Sequence, residues 1–486
     1  MHFSIPDSTD SKDSESGGTY TLYHIHINGT HHSSLRYSQL RTFNEKLHNL
    51  FPSSTSAIHL FPPKKLLSLS TNEKEDRRIS LERYLQSIVQ NKSIVNSKYF
   101  QEFFLHSQRE TFQHLLEGKE KNDEKLEFPI FLLNGHQLKI QIYPTDDTQR
   151  LLDLLATKVG LSADFLSYFG LYLIKNDDKS TVATDIFLVR QLIEFEAPYL
   201  SLEYLKRKTN NLNYRIVLKK CYWDVARDNL LLDDRIARNL LFVQVQYELE
   251  HNNCLAKNVP NDIKHQLLTL KENNSFKEYL LLAKHLKYYG HLVIKHCSLL
   301  YPITSDQQPQ QLQKCELAIG NNELICVFSD INKDITFKVT KIRCWRVTSK
   351  LKQSEQQPQR KRSIIRRLST NTTTTTNGTS HTPVNDEDMD LSFEYLVSKD
   401  SLKWITVHTL QATLISTFLQ NMVDEIIKKR TEQTHGESKS PVTPNPRQSQ
   451  EENKSKIKFV NEPSKRTPSD LSPNNTIFNY DDDDDL

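Results

Sequence analysis

The chain lacks most of what a metal, a disulfide frame or a bilayer-spanning segment would require. Its 486 residues include six cysteines, none in a C-x-x-C pair, which argues against a disulfide scaffold and a thiolate metal site. No run of about 18 apolar residues occurs, so no membrane-spanning helix is expected. Glycine is scarce at 11 residues, and neither a G-x-G-x-x-G nor a Walker A phosphate loop is present. G-x-S-x-G and H-E-x-x-H are missing too, so no catalytic constellation is legible and no cofactor is expected. Charge of one sign is lacking as well. Lys plus Arg reach 63 against 60 Asp plus Glu, which excludes a general nucleic-acid coat. The opening MHFSIPDSTDSKDSESGG is acidic and polar, unlike a signal peptide. What is present, 37% hydrophobic and 25% charged residues, suffices for about three compact units in a reducing compartment.

Residues 1–18 read as a flexible lead, and organised pattern begins at Thr19. Tyr23, Ile25 and Ile27 alternate with polar residues, Asn28-Gly29 signals a turn, and His32 to Tyr37 supply a return strand. Leu40, Phe43, Leu47 and Leu50 then fall on one helical face, with Ser38 as the expected cap. A second helix carries Leu81, Tyr84, Leu85 and Ile88, and a third Phe100, Phe103 and Phe104. Strands followed by helices predict a small α+β domain over 19–112. Within it, Arg36-Tyr37 sits where strand meets helix, two prolines stiffen the approach to Lys64, and Arg77 stands one turn before Leu81. Guanidinium forks and an ammonium suit a phosphorylated ring, because phosphate oxygens accept several charge-assisted bonds at once. Leu66, Leu67 and Leu69 beside those cations predict contact with a headgroup layer. His24, His26, His31 and His32 crowd the same region, but no carboxylate or Cys completes a metal set at useful spacing.

After a charged bridge at 113–126, a hairpin around Asn134-Gly135, a helix from Leu151 to Val159 closed by Gly160, and strands at Tyr168 to Ile174 and Tyr214 to Leu218 follow the ubiquitin-like order over 127–220. Residues 221–290 carry helical apolar faces and read as a small bundle. Strands return over 291–430, interrupted at 351–389 by a Gln-rich, basic and Thr-rich insertion expected to be disordered. They are followed by a last helix with Leu414, Ile415, Phe418, Leu419, Met422 and Val423. Strands closed by one long helix predict a pleckstrin or phosphotyrosine-binding-like lobe. Residues 431–486 form a tail expected to be disordered, ending in a short motif with Phe478, five Asp and Leu486.

The stretch 19–112 resembles a phox-homology (PX) domain. Arg36-Tyr37, the proline-lysine loop at 62–65 and Arg77 with Leu81 and Tyr84 match that family's signature in order. The three following lobes resemble a FERM module. The succession, with RYSQL at 36–40, FPPKKL at 61–66, RCWRVTS at 343–349 and FEYLVSKD at 393–400, is similar to one branch of the sorting nexins. The expected class is therefore multidomain α+β: a PX domain, then ubiquitin-like, helical and PTB/PH-like lobes, then a tail.

That resemblance implies an endosomal cargo adaptor rather than an enzyme. It assigns phosphatidylinositol 3-phosphate to Arg36 (3-phosphate), Tyr37 (inositol face), Lys64 (1-phosphate) and Arg77 (ring hydroxyls). It implies an Asn-Pro-x-Tyr or Asn-x-x-Tyr segment from receptor tails, such as those of lipoprotein receptors and integrins, in a groove at the matching Trp345, for which Ile415, Phe418 and Met422, one turn apart on the last helix, are the further candidates by spacing. No clustered Arg pocket is assignable there, so unphosphorylated tyrosine is the expected ligand. Phe478 and Leu486 would engage the retriever complex, although the unbroken Asp481 to Asp485 run departs from the family's more spaced acidic pattern. A monomer on the cytosolic face of early and recycling endosomes, without nucleic acid, completes the expectation. The alternative is a FERM-type scaffold linking membrane and cytoskeleton or serving signalling.

Overall fold

The computed structural model describes residues 1–12, 17–53, 58–65, 69–116, 124–176, 186–210, 213–251, 259–300, 312–349, 389–399 and 401–436. The insertion up to residue 388, the terminal motif with Phe478 and Leu486, and Leu66 and Leu67 lie outside those residues, while Met389, expected at the end of the insertion, already belongs to a strand.

The first unit comprises β1 (Phe3–Ser4), β2 (Ser8–Lys12), β3 (Thr19–Ile27), β4 (Thr30–Arg36), α1 (Tyr37–Leu50), α2 (Thr71–Val89), α3 (Lys92–Val95) and α4 (Lys98–Thr111). The β3–β4 turn puts Asn28 at φ 50° and Gly29 at φ 80°, the two positive values a two-residue type I′ turn requires. Ser70 and Glu73 form a reciprocal capping box at the start of α2. Ser38 lies inside α1 rather than capping it, because the helix already begins at Tyr37 and Arg36 holds the extended cap position. The lead is also corrected. Within residues 1–12, Phe3–Ser4 and Ser8–Lys12 are strand, β1 and β2 pairing in succession along one edge of β3. The physical reason is burial: Phe3 and Ile5 are fully covered, and Phe3 packs edge-on to Phe104 at 4.9 Å.

The second unit holds β5 (Leu126–Phe131), β6 (Gln137–Ile142), α5 (Thr148–Val159), α6 (Ala163–Leu166), β7 (Phe169–Asn176), β8 (Ile186–Gln191), α7 (Pro198–Thr209) and β9 (Tyr214–Lys220). Its sheet runs β6-β5-β9-β7-β8, with β5 and β9 parallel and the other neighbours antiparallel. Asp147 caps α5, and Gly160 ends it in the left-handed conformation. Next come α8 (Asp228–Leu231), α9 (Arg235–His251), α10 (Asn261–Glu272) and α11 (Phe276–Ala283).

The last lobe contains β10 (Leu292–Leu300), β11 (Leu312–Gly320), β12 (Glu323–Phe328), β13 (Lys333–Lys338), β14 (Ile342–Ser349), β15 (Met389–Ser398), β16 (Ser401–His408) and α12 (Ala412–Gly436). Its antiparallel sheet is ordered β13-β12-β11-β10-β16-β15-β14. One face is closed by α12, whose Ile415, Phe418, Leu419, Met422 and Val423 are buried against it.

The units share cores. Phe195, from the second unit, packs into the core of the first against Phe100 at 5.6 Å. In return Leu105, Phe112 and Leu115 of the α4 region belong to the core of the second unit. Gln108 spans the seam with both ends of its amide, donating to Ser201 Oγ at 2.9 Å and accepting from Ala197 N at 2.7 Å. Arg109 donates twice to Thr145 O, at 3.1 and 2.6 Å. Lys92 reaches Asp424 on α12 at 2.8 Å. Where the second unit meets the helical stretch that follows it, fully buried Asp228 accepts from Lys220 at 3.3 Å, from Tyr289 at 2.7 Å and from Tyr222. Such a buried carboxylate is tolerable only because three donors replace its water.

Candidate functional site

Cations gather at the end of the β3–β4 hairpin remote from its turn. Leu22 pairs with Arg36, so Tyr20 and Arg36 are diagonal neighbours on one sheet face. The Arg36 guanidinium lies 3.4 Å from the Tyr20 ring centroid. Tyr37, next in sequence, donates its hydroxyl to Pro62 O at 2.8 Å, and the Arg77 guanidinium lies 4.4 Å from its ring centroid. Arg77 also donates to Pro63 O at 3.4 Å. The two prolines therefore work through their carbonyls, fastening the loop that precedes Lys64 to the strand–helix corner and to α2. The structure brings Arg36, Tyr37, Arg77 and the Lys64 loop together.

Acidic neighbours sort the surrounding lysines. Lys65 is bound by Glu73 at 2.6 Å, and Lys74 by Asp10 of β2 at 2.6 Å. The Lys65 bond, with those from Ser70, holds the Glu73 carboxyl at about 2, well below its ordinary value. Lys64 is exposed and makes no ion pair among the described residues. Of the two loop lysines, Lys64 is thus the one not neutralised by α2. Leu69 is half-buried.

Tyr20 went unread in the sequence. The signal was strand period: Tyr23, Ile25 and Ile27 mark the core face, so Tyr20 had to share the other face with Leu22, opposite Arg36.

In the last lobe, β14 is one of the two edge strands and pairs only with β15 among the described residues. Its residues alternate: Trp345 stands opposite Phe393, itself opposite Ile405, and all three are fully buried under α12. Arg346 stands opposite Ser392 on the outer face. Trp345, Ile415, Phe418 and Met422 do come together, but as core, at 1% exposure or less. The Trp345 indole donates to Ser416 Oγ at 3.0 Å, and Phe418 packs on Trp223 at 4.6 Å. These side chains back the edge strand and present no surface to a peptide in this conformation. Val347, on the same face of β14, is only partly buried, and no sequence signal distinguished it from its neighbours. An edge strand beside a helix can accept a peptide as a further strand, its backbone supplying affinity and adjoining pockets selectivity.

Metal chemistry finds no frame: among the described residues no three His, Cys, Asp or Glu groups are arranged to hold an ion. The early histidines are packing elements. His24 bonds Ser34 at 2.8 Å and Thr9 at 3.0 Å, while His31 lies against Phe112 and Tyr204. Burial lowers His26 to about 4 and His31 to about 3, so both imidazoles are neutral near pH 7. Cys297, Cys315 and Cys326 are buried thiols. No described helix is long and apolar enough to cross a membrane.

Four family models match in succession. They are the PX domain over 23–107, the sorting nexin 17/27/31 FERM F1 lobe over 126–223, the sorting nexin 17/31 FERM F2 lobe over 224–287, and the sorting nexin 17 FERM C-terminal domain over 290–368 and 350–427. Sorting nexin-17 of Danio rerio is 34% identical over 439 residues, covering 89% of this chain and 82% of its own. Sorting nexin-17 of Homo sapiens is 34% identical over 440 residues, with 89% and 83% covered. Sorting nexin-31 of Mus musculus is 30% identical over 438 residues, with 89% and 88% covered. The chain therefore belongs to the sorting nexin family, in the branch that joins a PX domain to a FERM module.

Proposed function

We propose that the PX unit reads phosphatidylinositol 3-phosphate through Arg36, Tyr37, Lys64 and Arg77, while the β14 edge takes a receptor-tail peptide. The chain is a non-catalytic endosomal cargo adaptor of its family, acting on the cytosolic face of endosomes. It binds the lipid and Asn-Pro-x-Tyr or Asn-x-x-Tyr tails, and recycles them to the plasma membrane through retriever. One observation carries the residue assignment. Arg36, Tyr37, Arg77 and the loop before Lys64 converge through the Tyr37–Pro62 and Arg77–Pro63 bonds, while Glu73 and Asp10 occupy the competing lysines. Two guanidiniums and one ammonium fit a ring with two phosphates and adjacent hydroxyls. Each single contact is modest, and joint engagement on one membrane multiplies them through effective concentration.

The test is co-sedimentation of the full chain with vesicles containing phosphatidylinositol 3-phosphate, set against vesicles with unphosphorylated phosphatidylinositol. Arg36→Ala should abolish the difference between the two, and equal binding by that variant would remove the lipid assignment. Phe478 and Leu486 are proposed as the retriever contact. A peptide of the last 12 residues should retain retriever from cell extract, and deleting Leu486 should release it.

A further inference from the structure

We propose that Tyr20 is the positioning residue that fixes Arg36 for phosphate, a role resting on the lipid reading above. A guanidinium is planar and delocalised, and it donates through its edge while its faces remain weakly hydrated. Stacking and phosphate binding therefore use different parts of the same group. At 3.4 Å from the ring centroid, the Arg36 guanidinium is held by its face against Tyr20, leaving orientation of its edge as the variable the ring sets. The companion cation is treated alike, Arg77 lying 4.4 Å from the Tyr37 ring centroid. Two Arg–Tyr stacks thus stand at one end of the PX unit, crossing over so that each tyrosine serves a different arginine.

Tyr20 is itself held. It lies in β3 opposite Ser11 of β2, and the next β2 residue toward the chain start, Asp10, accepts from Thr21 at 2.8 Å and from Lys74 of α2 at 2.6 Å. Asp10 thereby ties the strand carrying Tyr20 to the helix carrying Arg77, and it removes Lys74 as a rival donor. The terminal strand β2 is part of this site's support. A long arginine side chain loses much rotamer freedom when it takes a ligand; stacking in the unliganded protein removes part of that loss beforehand.

The experiment measures affinity of the full chain for vesicles with phosphatidylinositol 3-phosphate, and thermal stability in parallel. Tyr20→Leu should weaken binding about two- to fivefold, the span of an exposed cation–π contact, with melting temperature unchanged. Tyr20→Phe keeps the ring and should restore native affinity, which a merely structural role for the hydroxyl or the strand would not predict. Asp10→Asn should weaken binding less than Tyr20→Leu. Native affinity in Tyr20→Leu, alongside lost binding in Arg36→Ala, would overturn this proposal and leave the lipid site standing. Native binding in Arg36→Ala would instead overturn the lipid reading itself. Equal weakening in Tyr20→Leu and Tyr20→Phe would also overturn the positioning role, because it would assign the effect to the hydroxyl.

Discussion

Arg36 and Trp345 were singled out by the same kind of motif, yet their surroundings give them opposite behaviour on substitution. Arg36 is half-buried at a surface corner, so Arg36→Ala should disperse the protein from endosomes to cytosol while its melting temperature stays near native. Fluorescence imaging with parallel thermal denaturation checks both halves. Trp345 is fully enclosed, so Trp345→Ala should open a cavity and cost about 3–5 kcal/mol, measured by denaturant titration. Any accompanying loss of peptide affinity would follow from a disturbed β14 rather than a lost contact. Ser416→Ala separates the two effects. It should leave the indole in place with its N–H unsatisfied, costing about 1–3 kcal/mol.

At the scale of elements, α4 is the helix whose removal from its neighbours would matter most. Gln108 and the exchanged phenylalanines bind it to both the PX core and the second unit. Phe195→Ala should cost about 3–5 kcal/mol and lower the melting temperature by opening the PX core, although Phe195 lies 84 positions beyond Thr111, where α4 ends. The same seam is acid-sensitive. His26 and His31, beside Lys208 and His24, are neutral in the fold with values of about 4 and 3, against 6.5 when unfolded. The unfolded chain binds more protons between those limits, so stability is full above pH 6.5 and falls as pH drops toward 4. Melting temperature at pH 7.5 and 5.5 checks it, the lower pH giving the lower value.

Elements built on local rules were legible: the Asn28-Gly29 hairpin, the three PX helices with Leu81, Tyr84, Phe100 and Phe104 inside, and the long last helix. Residues 1–12 were misread because Ser, Asp and Lys give β2 no apolar rhythm, its place being set by pairing with β3. The cargo-side residues were legible as apolar helical positions, but periodicity alone does not say whether such a face meets a sheet or a ligand. Tyr20 was within reach of strand parity, whereas the Glu73 and Asp10 pairings needed three-dimensional proximity.

For the whole molecule, shared cores predict joint behaviour. Calorimetry of the described units should give one cooperative transition rather than separate PX and FERM melting, since Phe195, Leu105 and Gln108 belong to both sides. The β3–β4 hairpin adds a geometric constraint. Its Arg36 end is the one proposed to meet the lipid, and its Asn28-Gly29 end abuts Thr413 of α12. The six residue steps from Leu22 to Asn28 make that hairpin a strut of roughly 20 Å. A receptor tail leaves the bilayer as a tether of at most ~3.3–3.6 Å per residue. With the lipid at Arg36 and the peptide at β14, as proposed, the adaptor would act as a depth gauge: tails whose tyrosine motif follows the bilayer too closely in sequence should fall short of it, whatever their chemistry.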